Sequence, residues 1–202
     1  MLLLIGATAP VRPAAAADAA AAGQFLANLQ DDAVTQLTDS AISEEEKETR
    51  FRNLFRKNFD LPAISRFVLG RHWRRAKEPD RADFMQVFED AMVQRFFPLL
   101  AGYDGQKLQI GKAREDSKKK GVFIVNSTYP RADGEAYKLS WRIRNKDANY
   151  RILDVIAEGV SMAITLRSEY GSMIESSGGK VSALTAKLRE LVEKGAFAPK
   201  NL

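Results

Sequence analysis

Cysteine is absent from this 202-residue chain, and histidine occurs once, at His72. Without cysteine there is no disulfide, no thiolate nucleophile and no cysteine–metal site. With a single histidine, a His-rich metal set is out of reach, and a Ser–His–Asp triad would have to use His72. That residue stands among arginines beside Trp73, where neighbouring positive charge favours a neutral ring and a structural role. Neither a G-x-x-x-x-G-K-[ST] loop nor a G-x-G-x-x-G loop occurs, so a nucleotide-phosphate site has no support. Past the N-terminal residues, no stretch approaches the roughly 18 apolar residues that a membrane span needs. There is no internal repeat and no linker long enough to divide the chain.

A strong charge bias is lacking as well. The 31 basic and 26 acidic residues leave a formal charge of +5. Such a mild excess suits an anionic membrane surface as well as nucleic acid. The basic clusters are Arg71–Arg75 and Lys118–Lys120, and Trp73 is the one aromatic within either. Nucleic-acid readers interleave aromatics with cations or carry a basic recognition helix, so nucleic acid is not an expected partner. What the chain does have is phenylalanine: 11 Phe against 5 Tyr and 2 Trp. That balance suits an apolar core or a greasy pocket better than a polar ligand site.

Residues 1–23 open with an apolar run and become rich in Ala and Pro. They read as the back half of a secretory signal peptide, with small residues near Ala15 and Ala17 as a cleavage site. On that reading the mature protein is soluble and periplasmic. A single domain is expected over 24–194, with 195–202 as a frayed tail.

Within the domain, Gln24 to Leu37 carries an apolar stripe through Phe25, Leu26, Leu29, Ala33 and Leu37. Ser43 and Glu46 form a capping box for a helix reaching about Asn58. Asp60 can cap a short helix that Gly70 ends. A polar turn around Trp73 follows. The strongest helical pattern starts at Pro79, with Phe84, Val87, Phe88, Ala91, Met92 and Phe96 at steps of three and four. Pro98 ends or kinks it.

The pattern then changes. Strands are expected over Lys107 to Arg114, Val122 to Tyr129, and Tyr137 to Arg144, where Tyr137, Leu139, Trp141 and Ile143 alternate with polar residues. From Tyr150 to Tyr170 the spacing of Val160, Met162, Ile164 and Leu166 predicts one long strand, bent at Gly159. Ser168 can cap the next helix, Gly178-Gly179 breaks it, and a last helix carries Val181, Leu184, Leu188, Leu191 and Val192. Helices, then a strand meander, then helices predict an α+β fold. The sheet is expected to be twisted and antiparallel, of four to five strands, with the helices packed against it and an apolar face that would suit a lipid pocket.

Asp154 and Glu158 are the most interesting acids. At a spacing of four they face one side of the expected strand, and a buried pair could do general acid–base work. The commoner role of such acids is to bond loop amides or an arginine.

Several stretches together resemble the MlaC family of periplasmic phospholipid-binding proteins. They are Asp154-Val155-Ile156-Ala157-Glu158-Gly159-Val160-Ser161-Met162, then Arg66 to Arg74, Trp141 to Arg144, Arg167 to Tyr170, and Gly178-Gly179 with Leu184 and Leu188. The resemblance covers about residues 24 to 193. It implies an α+β domain with a deep apolar pocket that holds phospholipid tails and leaves the head group at the mouth. It implies shuttling of lipid between an outer-membrane lipoprotein–porin complex and an inner-membrane ABC transporter complex with its lipid-binding ring. It implies no catalysis, no metal and no cofactor besides the bound lipid, and a monomer is expected. A hopanoid-associated branch of the family looks the same, so a polycyclic lipid is the alternative ligand.

The pattern nominates Phe55, Phe67, Val68, Phe84, Phe88, Met92, Phe96, Leu139, Trp141, Ile143, Val160, Met162 and Ile164 as pocket wall. About half are expected to touch ligand and the rest to be core. The rival readings are an enzyme on a cone-shaped sheet using Asp154 or Glu158, and an interaction protein with a filled core.

Overall fold

Side-chain caps decide where the helices begin. Ser43 Oγ accepts the Glu46 amide at 3.2 Å and starts α2 (Glu44–Asn58). Asp60 Oδ1 accepts the Ala63 amide at 3.1 Å and starts α3 (Leu61–Leu69). Each bond satisfies one of the free N–H groups that every helix start leaves. Gly70 ends α3 with φ of 52°, and a Cβ there would lie 3.0 Å from the Arg167 guanidinium. Pro79 sits in the first turn of α5 (Glu78–Phe96), and a separate turn, α6 (Pro98–Ala101), opens on Pro98. The expected polar turn at Arg71–Arg75 is a short helix, α4.

The computed structural model describes residues 14–101, 106–130 and 134–198. It is α+β, as the sequence pattern predicts. The sheet is a meander in the order β1 (Gln109–Glu115), β2 (Val122–Pro130), β3 (Ala136–Lys146), β4 (Asn149–Ala157) and β5 (Val160–Ser161), antiparallel throughout. Two helices follow, α7 (Met162–Ser176) and α8 (Val181–Glu193), separated at Gly178-Gly179.

The long bent strand expected from Tyr150 to Tyr170 does not exist. β4 stops at Ala157, and the chain reverses through Glu158 and Gly159, with φ of 48° and 81°. Two successive positive φ values make the tight turn that suits a twisted hairpin. β5 pairs back on Ile156 and Ala157 for two residues, and α7 begins at Met162. The alternation of Val160, Met162, Ile164 and Leu166 was compatible with a strand. The buried set on α7 is instead Ala163, Leu166, Tyr170 and Ile174, at steps of three and four. Ser161, not Ser168, is the cap: its Oγ accepts the Ile164 amide at 3.1 Å.

Asp154 completes this cap from β4. Its Oδ1 accepts the Ala163 amide at 2.9 Å, and its Oδ2 accepts the Ser161 hydroxyl at 2.6 Å. The carboxylate therefore stands at the positive end of the α7 dipole. Glu158 is exposed and accepts the Lys138 amide at 2.6 Å. Both acids bond backbone amides, which is the structural role set beside the catalytic one above.

Two separate apolar clusters form. In the first, α3, α5, α7 and α8 converge, and Phe84 and Phe88 meet the edge of Tyr170 at centroid distances of 6.2 Å. In the second, α1 (Ala14–Leu37) lies on the sheet. There Ala19, Ala22 and Leu26 cover Phe123, Val125, Ile143 and Ile152. Small alanines let the helix ride close to the strands. Thus α1 starts ten residues before the expected boundary at Gln24, and residues 1–13 of the signal-like segment lie outside the described residues. At the other end, the Phe197 amide donates to Gln94 Oε1 at 3.1 Å, so the chain is held past Gly195.

Charge joins α2 to α5. Glu89 is buried and takes Arg52 at 3.1 Å and Arg56 at 2.8 Å, while Asp90 also takes Arg52. Among the described residues no helix is long and apolar enough to cross a membrane.

Asp154→Ala leaves the Ala163 amide and the Ser161 hydroxyl without their acceptor, and should cost about 2–3 kcal/mol in denaturant unfolding. Ser161→Ala should cost about 1 kcal/mol.

His72 is buried, and burial, then the charges of Arg71 and Arg75, hold its pKa below the ordinary 6.5. The folded state therefore binds this proton less well than the unfolded state. Its contribution is present above pH 6.5 and is lost as pH falls through the lower folded value. His72→Gln should flatten the stability profile in that window, read from unfolding midpoints at a series of pH values.

Candidate functional site

Between the two clusters lies a cavity of about 500 Å³. Its walls come from one face of α1, from α2 and α5, and from β3, β4 and the start of α7. It falls within the ~300–1,000 Å³ typical of ligand sites. Buried side chains of Ile64, Phe88, Asp154, Ala163 and Leu166 form its floor. Thr38 and Leu99, both exposed, mark the side open to solvent.

The lining is almost wholly apolar. Aromatic rings fill much of the helical wall: Phe51 and Phe55 lie 6.3 Å apart, and Phe55 and Phe59 4.5 Å apart. On the sheet, Trp141 donates its indole N–H to Ser127 Oγ at 2.9 Å. This satisfies the polar edge and leaves the ring for the cavity. Strand register extends the wall along β4. The pairing slips between Arg142 and Ile143, so Leu153 is an extra residue on that strand, and Leu153, Asp154 and Val155 all reach the lining. A bulge of this kind re-aims side chains.

Among the described lining residues Asp154 is the one carboxylate. Both of its oxygens are taken by the α7 cap. Among the described lining residues no second acid stands with it for proton transfer. Among the described residues no three His, Asp or Glu side chains are grouped to hold a metal ion. What the geometry can do is remove apolar surface from water.

Of the nominated wall residues, the structure places Phe55, Phe88, Met92, Phe96, Leu139, Trp141 and Met162 on the cavity. Six stand elsewhere. Val68 and Phe84 are buried in the helical cluster, because the same apolar stripe serves core and wall. Ile143 is buried in the sheet-side cluster, where the early start of α1 covers it. Phe67 is 38% exposed under the Arg167 guanidinium. Val160 and Ile164 are each 61% exposed: Val160 stands on the two-residue β5 after the chain reverses, and Ile164 on the outer side of the first turn of α7.

The largest part missed is α1. Its Leu26, Leu29, Ala33, Val34 and Leu37 all line the cavity. Most of that stripe was visible as a helical period, but nothing in the period says that a cavity lies beneath it.

Comparison with known proteins agrees with this architecture. A phospholipid-binding protein from Ralstonia solanacearum, solved in complex with a phospholipid, superposes with a TM-score of 0.76. The match covers 87% of this chain and 98% of that one, at 18% identity, and shows the shared fold. An intermembrane phospholipid transport system binding protein, MlaC, from Haemophilus influenzae is 26% identical over 127 residues. That alignment spans 61% of this chain and 58% of the relative's length. The MlaC protein family model matches residues 24–190, most of the chain, and the chain belongs to that family.

Proposed function

We propose that this protein is a periplasmic carrier that takes the acyl chains of a phospholipid into the cavity between its two apolar clusters. The observation that carries this reading is the cavity itself, of about 500 Å³ and lined almost wholly by hydrocarbon and aromatic side chains. Burying a methylene is worth about 0.8 kcal/mol, so two chains of ~16 carbons represent roughly 25 kcal/mol of gross exposure in water. A carrier that replaces water along part of that length lowers the barrier to crossing an aqueous space. The open side allows a head group to stay wet while tails lie against Trp141, Leu139 and Phe88. The roles of the two similar proteins, phospholipid binding and intermembrane phospholipid transport, point the same way.

On this reading no bond is made or broken. The carrier moves lipid between an outer-membrane lipoprotein–porin complex and an inner-membrane ABC transporter complex, and acts as a monomer. Tail recognition rests on shape and apolarity, so the protein tolerates a range of acyl chains.

We propose that the α2–α5 wall gives as tails enter, since the Arg52–Glu89–Arg56 cluster ties these two lining helices together. Glu89→Gln weakens both ion pairs. Lipid exchange, followed by transfer of a fluorescent phospholipid to acceptor vesicles, should speed up by roughly tenfold, since 1–2 kcal/mol separates a charge-assisted bond from a neutral one. An unchanged or slower rate would remove this wall as the gate.

Occupancy is tested by solvent extraction and mass spectrometry of gently purified protein. Phospholipid at up to one per chain is expected. Folded protein without lipid would overturn the carrier reading, and a polycyclic lipid in its place would overturn the choice of ligand. Leu139→Asp, on the wall, should lower the recovered lipid roughly tenfold or more. Ile164→Asp, outside it, should leave the amount unchanged.

A further inference from the structure

Three large apolar side chains stand in solvent beside the α3–α7 contact. Val160 and Ile164 are 61% exposed, Phe67 is 38% exposed, and none lines the cavity. Val160 directly precedes the α7 cap, and Ile164 lies in the first turn of the helix. Arg167 comes one turn further on. Its guanidinium covers the Phe67 ring at 5.0 Å and donates to the Phe67 carbonyl at 3.3 Å. It also lies against Gly70, where α3 gives way to α4. A single arginine thus joins the apolar residues of α7 to the basic cluster on α4.

Elsewhere on the molecule some exposed cations, such as Arg114 and Lys118–Lys120, also form no ion pair among the described residues, and others are neutralised. Arg52, Arg56, Arg142, Arg144 and Arg189 each hold a carboxylate. Arg66, Arg74, Arg75 and Arg167 are exposed, and none forms an ion pair among the described residues. Three neighbouring acids, fewer than the arginines, offset them in part. Glu175 is taken by Arg71, Glu158 bonds the Lys138 amide, and Glu169 remains exposed.

We propose that this face docks on an anionic lipid bilayer, with Val160, Ile164 and Phe67 entering the head-group layer and the unpaired arginines meeting lipid phosphate. Three side chains supply far less than the ~800 Å² per partner of a standard protein interface. They match shallow apolar insertion reinforced by cations, which is how peripheral proteins hold a charged membrane. Guanidinium groups pair with phosphate through two parallel hydrogen bonds. The proposal does not depend on what fills the cavity, because none of these residues reaches it.

The test is sedimentation of the full chain with vesicles of phosphatidylcholine alone, and of phosphatidylcholine mixed equally with phosphatidylglycerol, at low and high salt. Binding to the mixed vesicles alone, weakening as salt rises, is expected. Ile164→Asp and Val160→Asp should each lower that binding roughly fivefold or more, and Arg66→Ala roughly fivefold, as about 1 kcal/mol per interfacial charge implies. Circular dichroism should show all three folded, since each position is exposed. Lipid extracted from the cavity is measured on the same samples, so that failure of docking is distinguished from failure of the carrier reading. No binding to the mixed vesicles, or binding that both aspartate variants retain, overturns the proposal. An acidic protein face would then be the partner to seek.

Discussion

The architecture depends on one carboxylate. Asp154 belongs to β4, and so to the sheet that α1 covers. Through the Ala163 amide and the Ser161 hydroxyl it fixes the first turn of α7, and so the helical cluster around Tyr170. The two clusters also meet at Phe59, which packs against both, and the cavity is the space between them. Asp154 is at once the joint that holds them in register and part of the cavity floor. An acid bordering an apolar cavity looks like a catalyst. Here both oxygens are consumed by backbone and hydroxyl donors, and what they hold is the first turn of α7.

The walls stay open for related reasons. Each amphipathic element has a partner along part of its length and none along the rest. Ala19 and Ala22 let the first half of α1 close on Phe123 and Ile143, whereas Leu29, Ala33 and Val34 further along face the cavity. On α5, Phe84 reaches Tyr170 and is core. Met92 and Phe96, two and three turns later, line the open space. The Arg52–Glu89–Arg56 cluster sets the separation of α2 and α5 at the surface. A filled core would need these elements to approach along their whole length.

Much of this was legible in the sequence, and the failures have physical causes. Caps and breakers marked α2, α3, α5 and α8, because Ser43, Asp60, Pro79 and Gly178-Gly179 act through local backbone chemistry. The meander was legible because Leu139, Trp141 and Ile143 alternate over enough residues to exclude a helix. The junction after Gly159 was misread. A spacing of two favours a strand, yet Met162 and Leu166 are also one helical turn apart, and the helix start is fixed by Asp154, a partner seven to nine residues away. Wall and core could not be separated, since periodicity reports which way a side chain faces and not whether anything stands opposite. Phe84 and Phe88 share one stripe, and only the second lines the cavity.

The central claim is that lipid tails lie against the cavity wall, and the two tryptophans allow it to be read directly. Trp141 lines the cavity, whereas Trp73 lies outside it, with Arg81 5.2 Å from its ring centre. The measurement is tryptophan fluorescence during titration with a phospholipid brominated on its tails. In a Trp73→Phe protein, where Trp141 alone emits, the account predicts strong, saturable quenching; in a Trp141→Phe protein it predicts little. Equal quenching of both, or none of Trp141 in protein shown to have bound the lipid, would contradict it.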